Sequence, residues 1–265
     1  MISVILPALN EEWGIEACLR SISEQSPSED YEVVVVDGGS QDRTASIACE
    51  LADKVVIQTS PGIGGARRDG AKAATGDKLA FTDADTIVSE GWLEAISSNL
   101  DRYDASTGPV VYQDQGVKSE LIQRWRSMYR IFYLSNFYYI LGSNMAVRAG
   151  TYRQIGGHSD ISLLDDYDLS LKLFRDKARV RHDPHQVVYT SSRRAEKLLA
   201  YAFTVAYGHY HYSISGDHSR LLRYPKTEEM RLRDLIPASP TQIRSLRSSL
   251  EAAGESFQIR IKRII

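Results

Sequence analysis

The stretch EVVVVDGGSQDRTASIACELADKVVIQ, residues 32–58, contains two apolar β-branched runs separated by a segment with helical spacing. Runs such as EVVVVD and KVVIQ are typical of strands that are buried on both faces of a parallel sheet. The intervening TASIACELA, residues 44–52, predicts the helix that a parallel connection requires. This stretch therefore predicts a β–α–β unit of an open α/β sheet.

The same alternation continues on both sides of this unit. ISVIL (2–6) and DKLAFTD (77–83) predict further strands, and helices are predicted near 15–22 and over 65–74. We therefore expect an α/β fold with a mixed, mostly parallel sheet flanked by helices, and with ligands at the carboxyl ends of the strands. Later in the chain, helices are predicted over 119–141 and 195–214, and a short one over LLDDYDLSLKLFRD.

Composition excludes several classes of protein. The length of 265 residues and the hydrophobic content of 43% are ordinary for a globular protein. A formal net charge of −2 argues against nucleic acid as a partner. Cys18 and Cys49 both lie in predicted helices, so a disulfide framework is not expected. We find no signal-peptide pattern and no run of 18 apolar residues, and we therefore expect a cytoplasmic protein.

Polar and small residues follow three of the predicted strands. They are Pro7, Ala8, Asn10 and Glu11 after the first strand, Asp37 and Gly38 after the second, and Asp83, Ala84 and Asp85 after the fourth. Carboxyl ends of parallel strands share one sheet edge, so these residues predict a single ligand site there. Carboxylates at this edge can accept hydrogen bonds from a base and a ribose, and glycine lets the backbone approach the ligand closely.

Asp83 and Asp85 lie one residue apart at a strand end, which indicates a divalent metal site. Mg²⁺ typically takes one or two carboxylates and completes its shell with water and substrate phosphates. A metal there would neutralise a diphosphate leaving group. The alternative is that one aspartate caps a helix, a contribution of about 1 kcal/mol. Two acids before any helical spacing exceed what a cap needs, so we favour the metal.

At this point the motifs resemble those of a known family. SVILPALNEE, VVVVDGGSQDRT, GGARRDGAKAATGDKLAFTDADT and LLDDYDLSLKLF occur in the order found in family 2 glycosyltransferases with the GT-A fold, and the resemblance covers about residues 1–215. It implies an inverting transferase that uses a nucleotide-diphosphate sugar, with UDP favoured, together with Mg²⁺ or Mn²⁺. It also implies a glycan or lipid-linked acceptor.

The resemblance also implies roles for individual residues. Pro7, Ala8, Asn10, Glu11 and Asp37 would line the nucleoside pocket, and Asp83 and Asp85 would bind the metal and the diphosphate. Arg67 matches the basic residue of an A-R-N-x-G segment that contacts the nucleotide, whereas Arg68 replaces the asparagine of that segment. The element Asp165-Asp166-Tyr167-Asp168 resembles E-D-x-D-L, which makes Asp166 the catalytic base and Asp165 the near alternative.

Three further regions keep alternative interpretations. TSSRR, residues 190–194, suits phosphate oxygens through Arg193 and Arg194, or it is a solvated helix cap with surface arginines. The aromatic stretch within 119–141 is assigned mainly to the core by its helical spacing, and a partial acceptor role stays open. Five downstream histidines offer no single choice as a third metal ligand.

The C-terminal segment is basic. Residues 223–265 hold nine Lys or Arg against five acids, so the segment carries +4. We expect a GT-A domain over 1–220, with a nucleotide-sugar half at 1–115 and an acceptor half at 116–220, followed by a helical extension at 221–265. That extension is either a solvated or homo-oligomer-contacting helix, or a peripheral contact with the anionic inner face of the membrane.

The motifs of this chain fit other classes of protein less well. A dinucleotide-binding oxidoreductase needs G-x-G-x-x-G after a strand, and GIGGAR (62–67) ends in Arg67 instead. A sugar-nucleotide pyrophosphorylase would have a glycine-rich basic loop after the first strand, where this chain has PALNEE. The alternative is a non-catalytic domain that binds a nucleotide sugar, although such a domain has no need of a base.

Overall fold

The structure is a computed structural model that describes residues 1–113, 137–191, 198–212 and 218–222. It contains two β-sheets. The strands are β1 (Ile2–Ala8), β2 (Tyr31–Asp37), β3 (Lys54–Ile57), β4 (Lys78–Phe81), β5 (Thr86–Val88), β6 (Ala105–Thr107), β7 (Val110–Tyr112), β8 (Met145–Arg148), β9 (Val180–His182) and β10 (Val188–Thr190). The large sheet has the order β3-β2-β1-β4-β8-β6-β9, and the small one has the order β5-β10-β7. In the large sheet β8 runs antiparallel to both of its neighbours and every other pairing is parallel. The prediction of a mixed, mostly parallel sheet is confirmed.

Helices cover both faces of the large sheet. They are α1 (Ile15–Ser23), α2 (Thr44–Leu51), α3 (Gly62–Ala73), α4 (Trp92–Leu100), α5 (Ala149–Gln154), α6 (Asp165–Arg175) and α7 (Leu198–Tyr210), with a 3₁₀ helix at His218–Leu221. Val4 and Leu6 of β1 pack with α1 and α4, whereas Ile5 faces the cluster that contains Leu169 of α6. Successive side chains of a strand point to opposite faces, so the continuous apolar run of β1 is buried on both sides.

Several boundaries differ from the prediction. Strand β4 ends at Phe81, and residues 83–85 form a turn closed by the bond from the Thr86 amide to the Asp83 carbonyl at 3.1 Å. Helix α3 begins three residues before the predicted residue 65. Strand β8 and helix α5 were not predicted. Within the predicted helix 119–141, residues 137–141 are not helical, so the prediction is wrong there, and 119–136 lies outside the described residues.

The C-terminal extension lies outside the described residues apart from 221 and 222, and the proposed halves 1–115 and 116–220 stay predictions. Among the helices described, none has the length and apolar character needed to cross a bilayer.

Candidate active site

The carboxyl ends of the first strands meet at one edge of the large sheet. Asp37 at the end of β2 pairs with Ala8 on one side and Ile57 on the other, and Ile5 pairs with Phe81. The loops that follow β1, β2 and β4 therefore start side by side. The structure brings together the three polar strand ends as the sequence predicts.

The loops after β1 and β2 are joined by hydrogen bonds. The Asn10 amide donates to Ser40 Oγ at 3.0 Å, and Asn10 Oδ1 accepts from the Gln41 amide at 2.9 Å. Asn10 has a positive φ of 54°, a conformation that asparagine adopts more readily than most residues. The Glu11 amide donates to Thr44 Oγ1 at 2.8 Å. These bonds hold Asn10 and Glu11 beside the end of β2.

Asp37 lies at the centre of these loops. Its carboxylate is buried and accepts bonds of 3.2 Å from the amides of Gly39 and Ser40. Pro7 and Ala8 are buried within β1, and the Gly38 amide donates to the Ala8 carbonyl at 2.8 Å. The residues predicted to line the nucleoside pocket thus lie next to one another at the ends of β1 and β2, and Asn10 is the exposed one beside the buried Asp37.

Asp83 and Asp85 lie on the turn where the chain leaves the large sheet for the small one. Both are partly exposed, whereas Ala84 between them is buried. Hard carboxylate oxygens on an accessible turn fit Mg²⁺ or Mn²⁺, which the substrate phosphates would help to coordinate. Within the described residues no group of three or more His, Cys, Asp or Glu side chains is arranged to bind a metal. The turn therefore offers a carboxylate pair rather than a complete protein cage.

Arg67 is the buried cation of this region. Its side chain is 3% exposed, Nη2 donates to Asp83 Oδ1 at 2.6 Å, and Nη1 donates to Asp165 Oδ2 in a short ion pair. Burial alone would lower the pKa of Arg67, but the carboxylates of Asp165 and Asp83 raise it above its ordinary value. Both terminal nitrogens thus pair with carboxylates, and the nucleotide contact that the resemblance implies stays a prediction.

Helix α3 reaches Asp165 because its first turn is rich in glycine. The Gly64 amide donates to the Ile161 carbonyl at 2.9 Å, and a Cβ at Gly64 would lie 2.2 Å from the Ser159 carbonyl oxygen. Real Cβ atoms do not approach an oxygen so closely, so only glycine allows this contact. The glycines of GIGGAR (62–67), which do not complete the dinucleotide-binding motif, allow close packing of the helix instead.

Arg68, the residue after Arg67, also holds α3 against the loop before α6. Its Nη2 forms a short ion pair with Asp160 and lies 3.2 Å from Ser60 Oγ. Nη1 donates to the His158 carbonyl at 3.4 Å. The residue that departs from the family motif therefore attaches the middle of α3 to the loop before α6.

Asp165 and Asp166 are adjacent, but they have different surroundings. Asp165 is buried against Arg67, whereas Asp166 is partly exposed. Burial raises the pKa of Asp165, the guanidinium of Arg67 opposes the rise, and the neighbouring Asp166 adds to it. Asp166 accepts from the Tyr139 hydroxyl at 3.0 Å and from the Tyr167 amide at 2.8 Å. Of these two aspartates, Asp166 is the one whose carboxylate a ligand can reach from solvent.

Asp168, the third acid of this turn, belongs to a different network. Burial would raise its pKa, but hydrogen bonds from Tyr212 at 2.6 Å, Lys172 and Ser159 lower it overall. Its carboxylate therefore stays ionised and joins α6 to the segment that follows α7. This role is structural, and the partners of Asp168 were not predicted from the sequence.

Arg193 and Arg194 lie outside the described residues, and strand β10 ends at Thr190, immediately before their loop.

Tyr139 is the residue beside Asp166 that sequence reasoning did not single out, because it was grouped with a predicted helix. Its only sequence signal was its membership of an aromatic stretch.

Comparison with known proteins is consistent with this geometry. The family model described as "Glycosyl transferase family 2" matches residues 3–155. A PGL/p-HBAD biosynthesis glycosyltransferase of Mycobacterium tuberculosis is 31% identical over 199 residues, which cover 71% of this chain and 75% of that protein.

Solved structures show the same fold. The mannosyltransferase PcManGT from Pyrobaculum calidifontis, in complex with GDP-Man and Mn²⁺, aligns with a TM-score of 0.63 at 22% identity, covering 96% of this chain and 75% of that chain. S. aureus TarS in complex with UDP-GlcNAc aligns with a TM-score of 0.60 at 20% identity, covering 84% of this chain and 76% of that chain. The predicted GT-A fold is confirmed.

Proposed function

This chain belongs to glycosyl transferase family 2, and we propose that it is an inverting enzyme with Asp166 as its base. It would transfer a sugar from a nucleotide-diphosphate donor to an acceptor hydroxyl by single displacement. The observation that carries this proposal is the pair of ion pairs made by Arg67. Through them one buried guanidinium joins the turn of Asp83 to the residue next to Asp166.

The donor would bind along the carboxyl edge of β1, β2 and β4. The loop residues Asn10, Glu11 and Asp37, together with Pro7, Ala8 and Gly38, would receive the nucleoside. Asp83 and Asp85 would hold Mg²⁺ or Mn²⁺. When bound, the ion would neutralise charge on the departing diphosphate, which stabilises the transition state by several kcal/mol.

Asp166 suits the role of base better than Asp165. Asp165 is buried and its Oδ2 is paired with Arg67, so it has no access to an acceptor hydroxyl. The carboxylate of Asp166 is partly exposed at the N-terminal turn of α6, where the amide of Tyr167 donates to its Oδ1 at 2.8 Å. A carboxylate fixed in this way can accept a proton from a bound hydroxyl.

The transfer needs no reactant beyond the donor, the acceptor and Asp166. The acceptor oxygen attacks the anomeric carbon as Asp166 takes its proton. The bond between the anomeric carbon and the diphosphate oxygen breaks, and its electron pair leaves with the nucleoside diphosphate. Attack opposite the leaving group inverts the anomeric configuration.

Two features of the substrates rest on similarity. A UDP-sugar is our first choice of donor because TarS was solved with UDP-GlcNAc, and PcManGT with GDP-Man makes guanine the alternative. A glycan or lipid-linked acceptor is proposed on the family resemblance. Contact of residues 223–265 with an anionic membrane is a further proposal, which co-sedimentation of the chain with and without these residues would test.

A transfer assay tests the function. UDP-Glc, UDP-GlcNAc and GDP-Man are incubated with the chain, Mn²⁺ and candidate acceptors, and nucleoside diphosphate release is measured. We expect release with one donor, its loss with EDTA, and an inverted anomeric signal in the ¹H NMR spectrum of the product. Binding without release would favour the non-catalytic domain, and a retained configuration would exclude single displacement.

A further inference from the structure

Tyr139 lies against the carboxylate of Asp166 and has no role in the function described so far. Its hydroxyl donates to Asp166 Oδ1 at 3.0 Å, and the amide of Tyr167 donates to the same oxygen at 2.8 Å. A carboxylate oxygen accepts about two hydrogen bonds, so Oδ1 is fully used. On Oδ2 the bond from the described residues is a long one, from the Gly142 amide at 3.4 Å.

The segment 139–142 that carries this tyrosine is anchored independently. The Ile140 amide donates to Ser170 Oγ at 3.0 Å, and Ser170 Oγ donates to the Asp166 carbonyl at 2.7 Å. Ile140 itself is fully buried. The backbone on the C-terminal side of Tyr139 is therefore fixed to the first turn of α6, which limits where its hydroxyl can lie.

The same segment packs on Arg67. A Cβ at Gly142 would lie 2.6 Å from Nη2 of Arg67, so the glycine backbone rests directly on the guanidinium. Segment 139–142 thus contacts both the cation that holds the acidic turn and the carboxylate of Asp166. We therefore expect a displacement of Tyr139 to disturb the carboxylate of Asp166 more than the binding of the sugar donor.

We propose that Tyr139 is a positioning residue that fixes the Asp166 carboxylate, leaving Oδ2 to receive the proton of the acceptor hydroxyl. The inference rests on the proposed function, because it assumes that Asp166 is the base. Oδ1 holds two donors and keeps the carboxylate from rotating. Oδ2 has the spare lone pair, and the ring of Tyr139 beside Tyr167 limits the direction of approach of the acceptor.

Charged and titratable groups surround Asp166 on several sides. Asp165 precedes it on α6, Arg67 faces it from α3, and His209 faces it from α7. Burial lowers the pKa of His209, although Asp166 opposes this, so the histidine is neutral near pH 7. The Tyr139 hydroxyl adds a neutral donor, and a donor to a carboxylate favours its ionised form.

The test is the pH profile of kcat/KM for Tyr139→Phe, which keeps the ring and loses the hydroxyl. The acidic limb reports protonation of the free enzyme's base, and we expect it to move to higher pH by about 1 unit. We also expect kcat to fall by about 10-fold with an unchanged donor KM. Tyr31→Phe is the matched control, since it loses a hydroxyl bond of 3.1 Å to the Ile22 carbonyl far from Asp166.

A second variant gives a shift in the opposite direction. Site-specific 3-fluorotyrosine in place of Tyr139 retains the ring and donates a stronger hydrogen bond, so the acidic limb should move to lower pH. If the wild type is active and both variants have the same pH profile as the wild type, the role of Tyr139 is overturned and the transferase function stays intact. Absence of transfer by the wild type with every donor would overturn the proposed function itself.

Discussion

Nη2 of Arg67 lies 2.6 Å from Oδ1 of Asp83, so helix α3 is attached directly to the acidic turn after β4. The other arm of the same guanidinium is paired with Asp165 at the start of α6. Asp83 and Asp165, which are 82 residues apart in the chain, therefore share one buried cation. The buried guanidinium of Arg67 therefore links the position of the acidic turn to that of the start of α6.

Removal of Arg67 should be strongly destabilising. Arg67→Met leaves the buried carboxylate of Asp165 unpaired, and we expect a loss of about 3–5 kcal/mol in the free energy of unfolding by urea. Addition of Asp165→Asn should restore part of this loss, because it removes the uncompensated charge. Ordinary surface substitutions change the free energy of unfolding by about 0.5 kcal/mol or less. An Arg67→Met variant whose free energy of unfolding lies within about 1 kcal/mol of the wild-type value would therefore show that the ion pairs are not formed.

Gly64 should tolerate no side chain. Gly64→Ala would place Cβ against the Ser159 carbonyl oxygen, and we expect about 1–3 kcal/mol of destabilisation together with reduced transfer. Gly150→Ala is the matched control, because nothing lies within 4 Å of its Cβ position in helix α5. There alanine should be neutral or stabilising by up to about 1 kcal/mol. Equal melting temperatures for the two variants would contradict the close packing of α3.

Asp69 should make stability depend on pH in the acidic range. Burial alone would raise its pKa, but bonds from the amides and hydroxyls of Ser60 and Thr59 lower it below the ordinary value. A depressed folded pKa stabilises the fold above the unfolded pKa of about 3.9, and this contribution is lost as the pH falls through the folded value. Asp69→Asn should therefore cost about 2 kcal/mol at pH 7 and less at pH 3. A cost in urea unfolding that stays constant between these pH values would be inconsistent with an ionised Asp69.

Asp166→Asn should separate binding from transfer. The amide cannot take a proton, so we expect kcat to fall by about 10²–10⁴-fold, while donor affinity measured by calorimetry stays within about twofold. Asp176→Asn, at the exposed C-terminal end of the same helix, is the control and should behave as wild type. Near-normal turnover in Asp166→Asn would remove Asp166 as the base.

Much of the first hundred residues is predictable because local and global signals agree there. The apolar runs of β1 and β2 are long enough to require burial on both faces, and the polar residues after them share one sheet edge. The acids Asp83 and Asp85 follow directly from that topology. Period and burial determine these features, and both can be read from a single sequence.

The remaining parts depend on contacts between distant segments. No local pattern indicates that Arg67 is shared by Asp83 and Asp165, or that Gly64 is needed for a carbonyl approach near residue 159. Tyr139 lies outside a helix although its aromatic neighbours suggested one. Strand β8 was not predicted because MAVR is short and runs antiparallel within a parallel pattern. Such features are set by tertiary packing.

The most direct test of the central claim is nucleotide binding at the acidic turn. Thermal unfolding is measured with UDP, GDP and the other nucleoside diphosphates, each with and without Mn²⁺, for the wild type and for Asp83→Ala/Asp85→Ala. We predict that one nucleotide, with UDP the first candidate, raises the Tm only when Mn²⁺ is present, and that the double variant loses this stabilisation. A wild type that no nucleotide stabilises, or a double variant that responds as strongly as the wild type, would contradict the claim.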